Sequence, residues 1–161
     1  MAADERIRLL VEAYGDMIFR LCYTYMKNVP DAEDAAQDVF IKLIETQPEF
    51  DDAEHEKAWI IRVTINICKN RLRFFRIRRA ERIENTNIAV YDKHNDTPEV
   101  LAAVLALPEK YRTVIHLYYY EEYSTPEIAQ MIGRNESSVR SDLHRARARL
   151  KTVLKEGYDF E

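Results

Sequence analysis

Between Ile132 and Leu150 the chain carries Arg134, Arg140, Arg145, Arg147 and Arg149, interleaved with Ser137, Ser138, Ser141 and His144. Arginine offers a planar fork of donors that matches guanine O6 and N7, and serine and histidine bond bases or phosphates, so the mixture suits nucleic-acid recognition. At helical spacing Ser137, Ser138, Arg140, Ser141, His144 and Arg145 fall on an outward face or near its N-terminal end, where phosphate is also attracted. A solvated arginine- and alanine-rich helix would have the same composition. The elements around it decide between the two.

Those elements form a helix-turn-helix pattern. Ser124, Thr125, Pro126 and Glu127 are a helix start, with a Ser124–Glu127 capping box available. Ile128, Ala129 and Ile132 supply the first helix's inner face, and Ala129 is small where two helices must approach. Gly133 can take the left-handed turn, Asn135 can cap a last helix from Glu136 to about Lys155, and Gly157 would stop it. Val139 and Leu143 would pack that helix back onto the first, the arrangement in which the second helix enters the major groove. Upstream, Thr97 as N-cap and Pro98 at the first helical position begin "EVLAAVLAL". Pro108 and Glu109 begin a further helix, and its run "YRTVIHLYYY" is apolar enough to be the centre of this half.

The N-terminal half is also helical. Ile7, Leu10, Val11 and Tyr14 mark one helix, and Ile18, Leu21, Cys22 and Tyr25 a second. Asp31 is expected to cap a helix with the apolar stripe Ala35, Ala36, Val39, Phe40, Leu43 and Ile44, ending before Pro48. After the polar loop "TQPEFDDAEHE", a long helix starts near Glu56 with Trp59, Ile60, Val63, Ile67 and Leu72 inward, extending towards "RFFRIRRAER". The period then fades. The expected organisation is a helical domain over 1–82, a flexible linker over 83–97 and a helix-turn-helix domain over 98–161, an all-α fold.

Composition agrees: 47% hydrophobic residues support a core, and three glycines with few alternating β-branched runs argue against a sheet. Cys22 and Cys68 lack paired spacing and read as buried, reduced thiols. No apolar run suggests membrane insertion or an N-terminal signal, so a cytoplasmic protein is expected. The four histidines are scattered, with no metal-ligand spacing, so no metal, cofactor or enzyme activity is expected. Net charge is -4, the wrong sign for unaided binding to nucleic acid. Its distribution says more: eight cations from Arg62 to Arg82 face Glu81 alone, whereas ten acids from Asp31 to Glu56 face Lys42 alone. Such blocks suggest two different partners.

With these residues in place, the chain resembles the extracytoplasmic-function type of bacterial sigma factor. "LPEKYRTVIHLYYYEEYSTPEIAQMIGRNESSVRSDLHRARARL" is similar to sigma region four, and "DAEDAAQDVFIKLIE" with "AWIIRVTINICKNRLR" to region two. The resemblance implies a transcription initiation factor that binds core RNA polymerase, through the beta-prime clamp helices and the beta flap, and directs it to promoter DNA. It implies that Arg140, Ser141, His144 and Arg145 read the minus-thirty-five element, with Arg147 and Arg149 on phosphates. For the minus-ten element it implies Asn66 and Asn70 on one helix face, Phe50 and His55 lining a pocket for a flipped base, and Arg62, Lys69 and Arg73 along melted DNA. Asp34, Gln37 and Asp38 match the polymerase-binding stretch, and relatives are often held by an anti-sigma factor. Two positions depart from the pattern: Asp142 where a basic residue is usual, and Arg134 where an apolar one is. Asp142 is expected either to meet a cytosine amino group or to pair with an arginine. The alternative is a free-standing helix-turn-helix regulator that binds a palindrome without polymerase.

Overall fold

The computed structural model describes residues 3–77 and 98–154. The expected linker 83–97, the Thr97 cap, the cations Arg78, Arg79 and Arg82, and the stop at Gly157 lie outside the described residues. Every regular element among those described is helical: α1 (Ala3–Met26), α2 (Val29–Thr46), α3 (Ala53–Ile77), α4 (Pro98–Leu105), α5 (Glu109–Ile115), α6 (Thr125–Ile132) and α7 (Glu136–Leu154). The chain divides into two compact units, Met1–Thr86 and Asn87–Glu161.

In unit 1, α1, α2 and α3 all pack on one another. Ile18, Leu21, Cys22 and Tyr25 of α1 meet Ala35, Val39 and Leu43 of α2 and Ile60, Ile61, Ile65 and Cys68 of α3 in a core excluded from solvent. Burying each such isoleucine contributes about 2 to 3 kcal/mol. Both cysteines are buried and neither is in a disulfide.

Four expectations for this unit are corrected. The two N-terminal helices are one continuous helix through Gly15, whose backbone is not in the left-handed region. Helix α2 begins earlier than Asp31, because the Asn28 side chain accepts from the Asp31 backbone N–H at 2.9 Å and Pro30 fits the first turn without an N–H to lose. Ile44 is half exposed rather than part of the buried stripe. The inward face of α3 is likewise rotated, to Ile60, Ile61, Thr64, Ile65 and Cys68, leaving Trp59, Val63, Ile67 and Leu72 only partly covered. Thr64 enters the core by donating to the Ile60 carbonyl at 2.8 Å, which satisfies its hydroxyl inside the helix.

In unit 2, Tyr111 to Leu117 form a buried centre, as the apolar run predicts, with Leu101, Val104, Ile128, Val139, Leu143, Ala146 and Leu150 around it. Arg112 is buried and donates to the Leu107 carbonyl at 2.7 Å, closing the α4–α5 junction. After Ile115 the helix widens into a π turn, His116–Tyr120. His116 Nε2 lies 3.1 Å from the buried Glu121 carboxylate at its end.

Candidate nucleic-acid interface

Local chemistry fixes the helix-turn-helix. The Ser124 hydroxyl accepts from the Glu127 N–H and the Glu127 carboxylate accepts from the Ser124 N–H at 2.9 Å, the full capping box. Gly133, with φ of 71°, supplies the left-handed residue that ends α6. Asn135 Oδ1 accepts from the Ser138 N–H at 2.8 Å and the Ser137 hydroxyl at 2.9 Å, so it caps α7 as expected. Val139 and Leu143 are buried, which turns the opposite side of α7 outward.

On that outward side Ser137, Arg140, His144 and Arg145 are exposed, and Ser138 and Ser141 are partly covered. Arg140 pairs with Glu136 at 2.7 Å, one turn earlier. Glu136 also accepts from the Thr125 hydroxyl at 3.0 Å. These contacts, the Thr125 bond first and the Arg140 bond next, hold the Glu136 carboxyl below its ordinary range. Arg147 and Arg149 flank the face on tyrosine: Arg147 Nε donates to the Tyr119 hydroxyl at 2.8 Å and its guanidinium lies 5.3 Å from the Tyr118 ring centre, while Arg149 lies 5.1 Å from that of Tyr111. A groove of about 430 Å³ runs beside the face, lined by Tyr118, Ser124, Thr125, Arg140, Leu143 and Arg147.

The two departures from the resemblance answer each other. Asp142 is buried, and its carboxylate bonds the Arg134 guanidinium across the turn. Of the two fates open to Asp142, the structure shows the arginine pair.

In unit 1, α3 is one unbroken helix, so His55, Trp59, Arg62, Asn66, Asn70 and Arg73, spaced by three or four, share a face. Arg62, Asn66, Asn70 and Arg73 are exposed and Lys69 is partly so. Arg73 donates to the Asn70 side-chain oxygen at 3.0 Å, which orients that amide. At the helix start Asp52 accepts from the His55 N–H at 2.7 Å. Phe50 lies edge-on to His55 at 4.9 Å and tilted against Trp59 at 5.5 Å. The two expected pocket residues are thus together, with Trp59, which the apolar period placed inward, against Phe50.

On α2, Asp34 and Gln37 are exposed, while Asp38 is partly covered and accepts from Arg71 Nε of α3 at 2.9 Å. Ile41 and Ile44, 49% and 50% exposed, lie beside them. Gln37 also lines a groove of about 660 Å³ against α1, with Gly15, Phe19, Ala36 and Phe40. Such a surface, acidic with uncovered isoleucines, suits a basic partner that also presents apolar groups.

Sequence reasoning did not single out Glu136, Thr125 or Ile41 for these faces, and of the two readings open to Trp59, stacking wedge or core, it preferred the core. Glu136 stands four residues before Arg140, a spacing that marks a helical pair. The core reading of Trp59 was preferred because an aromatic at an apolar period most often packs inward.

Comparison with known proteins follows this division. Residues 98–150 match the family model for Sigma-70, region 4, and residues 10–79 that for Sigma-70 region 2. The ECF RNA polymerase sigma factor SigW of Bacillus subtilis is 30% identical, aligned over 91% of this chain and 88% of its own length. The RNA polymerase sigma factor SigV of the same organism is 30% identical over 80% of this chain and 78% of its own. Among solved structures, the sigma factor RpoE of Bartonella quintana, captured with the anti-sigma factor NepR, matches with a TM-score of 0.72 at 20% identity, over 96% of this chain and 98% of that one.

Proposed function

This chain belongs to the extracytoplasmic-function RNA polymerase sigma factors of the sigma-70 family, and on that premise we propose how its two units divide the work. The protein is a transcription initiation factor that binds core RNA polymerase and directs it to promoters. Unit 2 reads the upstream element: Arg140, Ser141, His144 and Arg145 reach base edges from α7, with Ser137 and Ser138 at its N-terminal end, and Arg147 and Arg149 steady the helix on tyrosines while their remaining donors take phosphate.

Unit 1 does two jobs. The α3 face holds the melted minus-ten strand through Arg62, Asn66, Lys69, Asn70 and Arg73, and Phe50, His55 and Trp59 provide aromatic surface for an unstacked base. Unstacking costs a few kcal/mol, which stacking at about 1 to 3 kcal/mol per base offsets. The α2 face, with Asp34, Gln37 and the open edge of Asp38, docks on the polymerase, and Ile41 adds apolar contact. Bond formation belongs to the polymerase, and the protein works in the cytoplasm beside it. Sequestration by an anti-sigma partner is proposed from the resemblance alone.

One observation carries this division: two faces suited to DNA stand on separate compact units, and the acidic face stands on a different helix from either. The test is run-off transcription and gel shift with and without core polymerase. Promoter-specific complexes should form only when core enzyme is present. Tight, specific binding of a palindrome by the isolated protein would establish the free-standing regulator instead.

A further inference from the structure

We propose that Glu136 and Thr125 are positioning residues that hold Arg140 for one base of the upstream element, a refinement that rests on the reading of α7 given above. Glu136 opens α7 and Thr125 opens α6, eleven residues earlier. A single carboxylate oxygen, Glu136 Oε2, accepts from Thr125 Oγ1 at 3.0 Å and lies 2.7 Å from Arg140 Nη1. The chain of bonds therefore starts on the supporting helix, crosses the turn and ends on the outward face of the reading helix.

Stability does not account for it. The Arg140 and Glu136 side chains are 57% and 40% exposed, and a pair so open to water, one turn apart, adds little to a helix. Geometry does account for it. A free arginine on this face would search many rotamers and lose that freedom on meeting a base, whereas a guanidinium already pinned by one nitrogen has less to lose. The pair engages Nη1, leaving Nε and Nη2 for the two-bond contact that arginine makes with guanine. The Thr125 bond is the telling part, because a carboxylate fixed from the other helix cannot swing with the arginine it holds.

The carboxylate has a second effect. Standing among groups that face phosphate, it repels DNA of any sequence, so it trades non-specific affinity for discrimination. A residue serving only the fold would raise or lower both together.

The experiment uses holoenzyme reconstituted from core polymerase and the full chain, on templates that differ one base at a time through the upstream element. Arg140→Ala first identifies the position whose preference it erases. Glu136→Ala and Thr125→Val should each lower the preference at that same position about three- to tenfold, part of what a whole bidentate contact provides. Thr125→Ser, which keeps the hydroxyl, should restore it. The affinity of Glu136→Ala holoenzyme for random duplex should rise. The proposal is overturned if Arg140→Ala selects no position, if the glutamate variant shifts preference at a different base, which would make Glu136 a reader itself, or if every template loses equally. Failure of the wild-type holoenzyme to initiate on any template would refute the sigma reading beneath it.

Discussion

A carboxylate buried on a DNA-facing helix needs a cation, and Asp142 has Arg134. Neither residue is explained alone. Breaking a fully buried pair costs about 3 to 5 kcal/mol, but Arg134 keeps 34% of its side chain exposed and can rehydrate, so Asp142→Ala should cost about 1 to 2 kcal/mol. Adding Arg134→Leu should recover most of that loss, because the remaining groups are apolar and small; urea unfolding of the single and double variants would show purely additive costs if the pairing were wrong. The sequence left Asp142 with two fates, since Arg134 is eight residues away and outside any helical pairing rule. Tyr14 offers a second test. Burial, reinforced by its hydrogen bond to Glu56 at 2.9 Å, pushes its phenol up to about 12. The folded state thus keeps this proton more tightly than the unfolded chain does. Its contribution is complete below pH 10 and is lost as pH rises towards 12. Tyr14→Phe should remove that part of the alkaline loss, visible when the melting temperatures of the two proteins are compared across this window.

At the scale of elements, what was legible was punctuation. The capping box, the turn glycine and the proline starts each act within four residues, so sequence alone placed α5, α6 and α7. Phase was harder. The α3 core runs through Thr64 and Cys68, residues that a hydrophobicity pattern undervalues, and this rotated the expected face away from the true one and favoured the core reading of Trp59. The π turn was also invisible, because the His116–Glu121 contact that accompanies it lies between two polar residues in an apolar run. Two glycines test the helix boundaries in opposite directions. A methyl group at Gly15 would meet only Val11 Cγ1 at 3.7 Å inside a continuous helix, so Gly15→Ala should stabilise the protein by about 0.5 to 1 kcal/mol. Destabilisation would mean that α1 is broken there. A methyl group at Gly133 meets nothing within 4 Å, yet the left-handed backbone makes Gly133→Ala cost about 1 to 2 kcal/mol, with asparagine costing less. Thermal melts would rank the three variants.

For the molecule as a whole, a net charge of -4 fits a protein that meets DNA in company. The two-unit layout, the charge blocks and both helical motif sets were readable from the chain. Which candidate side chains actually touch was not, since pairs such as Asp38–Arg71 join positions thirty-three residues apart. Because each unit builds its own core, Arg145→Ala and Asn66→Ala should combine additively, within about 0.5 kcal/mol, when the free energy of promoter opening is measured. Gln37→Ala should instead weaken competition for core enzyme on every template by a similar factor. The chain's single tryptophan, Trp59, stands against Phe50, on the face proposed above to receive the expelled base. On the proposed function that indole is a lamp at the melting fork: its emission should time strand separation in a stopped-flow cell with no dye attached, and every variant made elsewhere in the protein inherits the same clock.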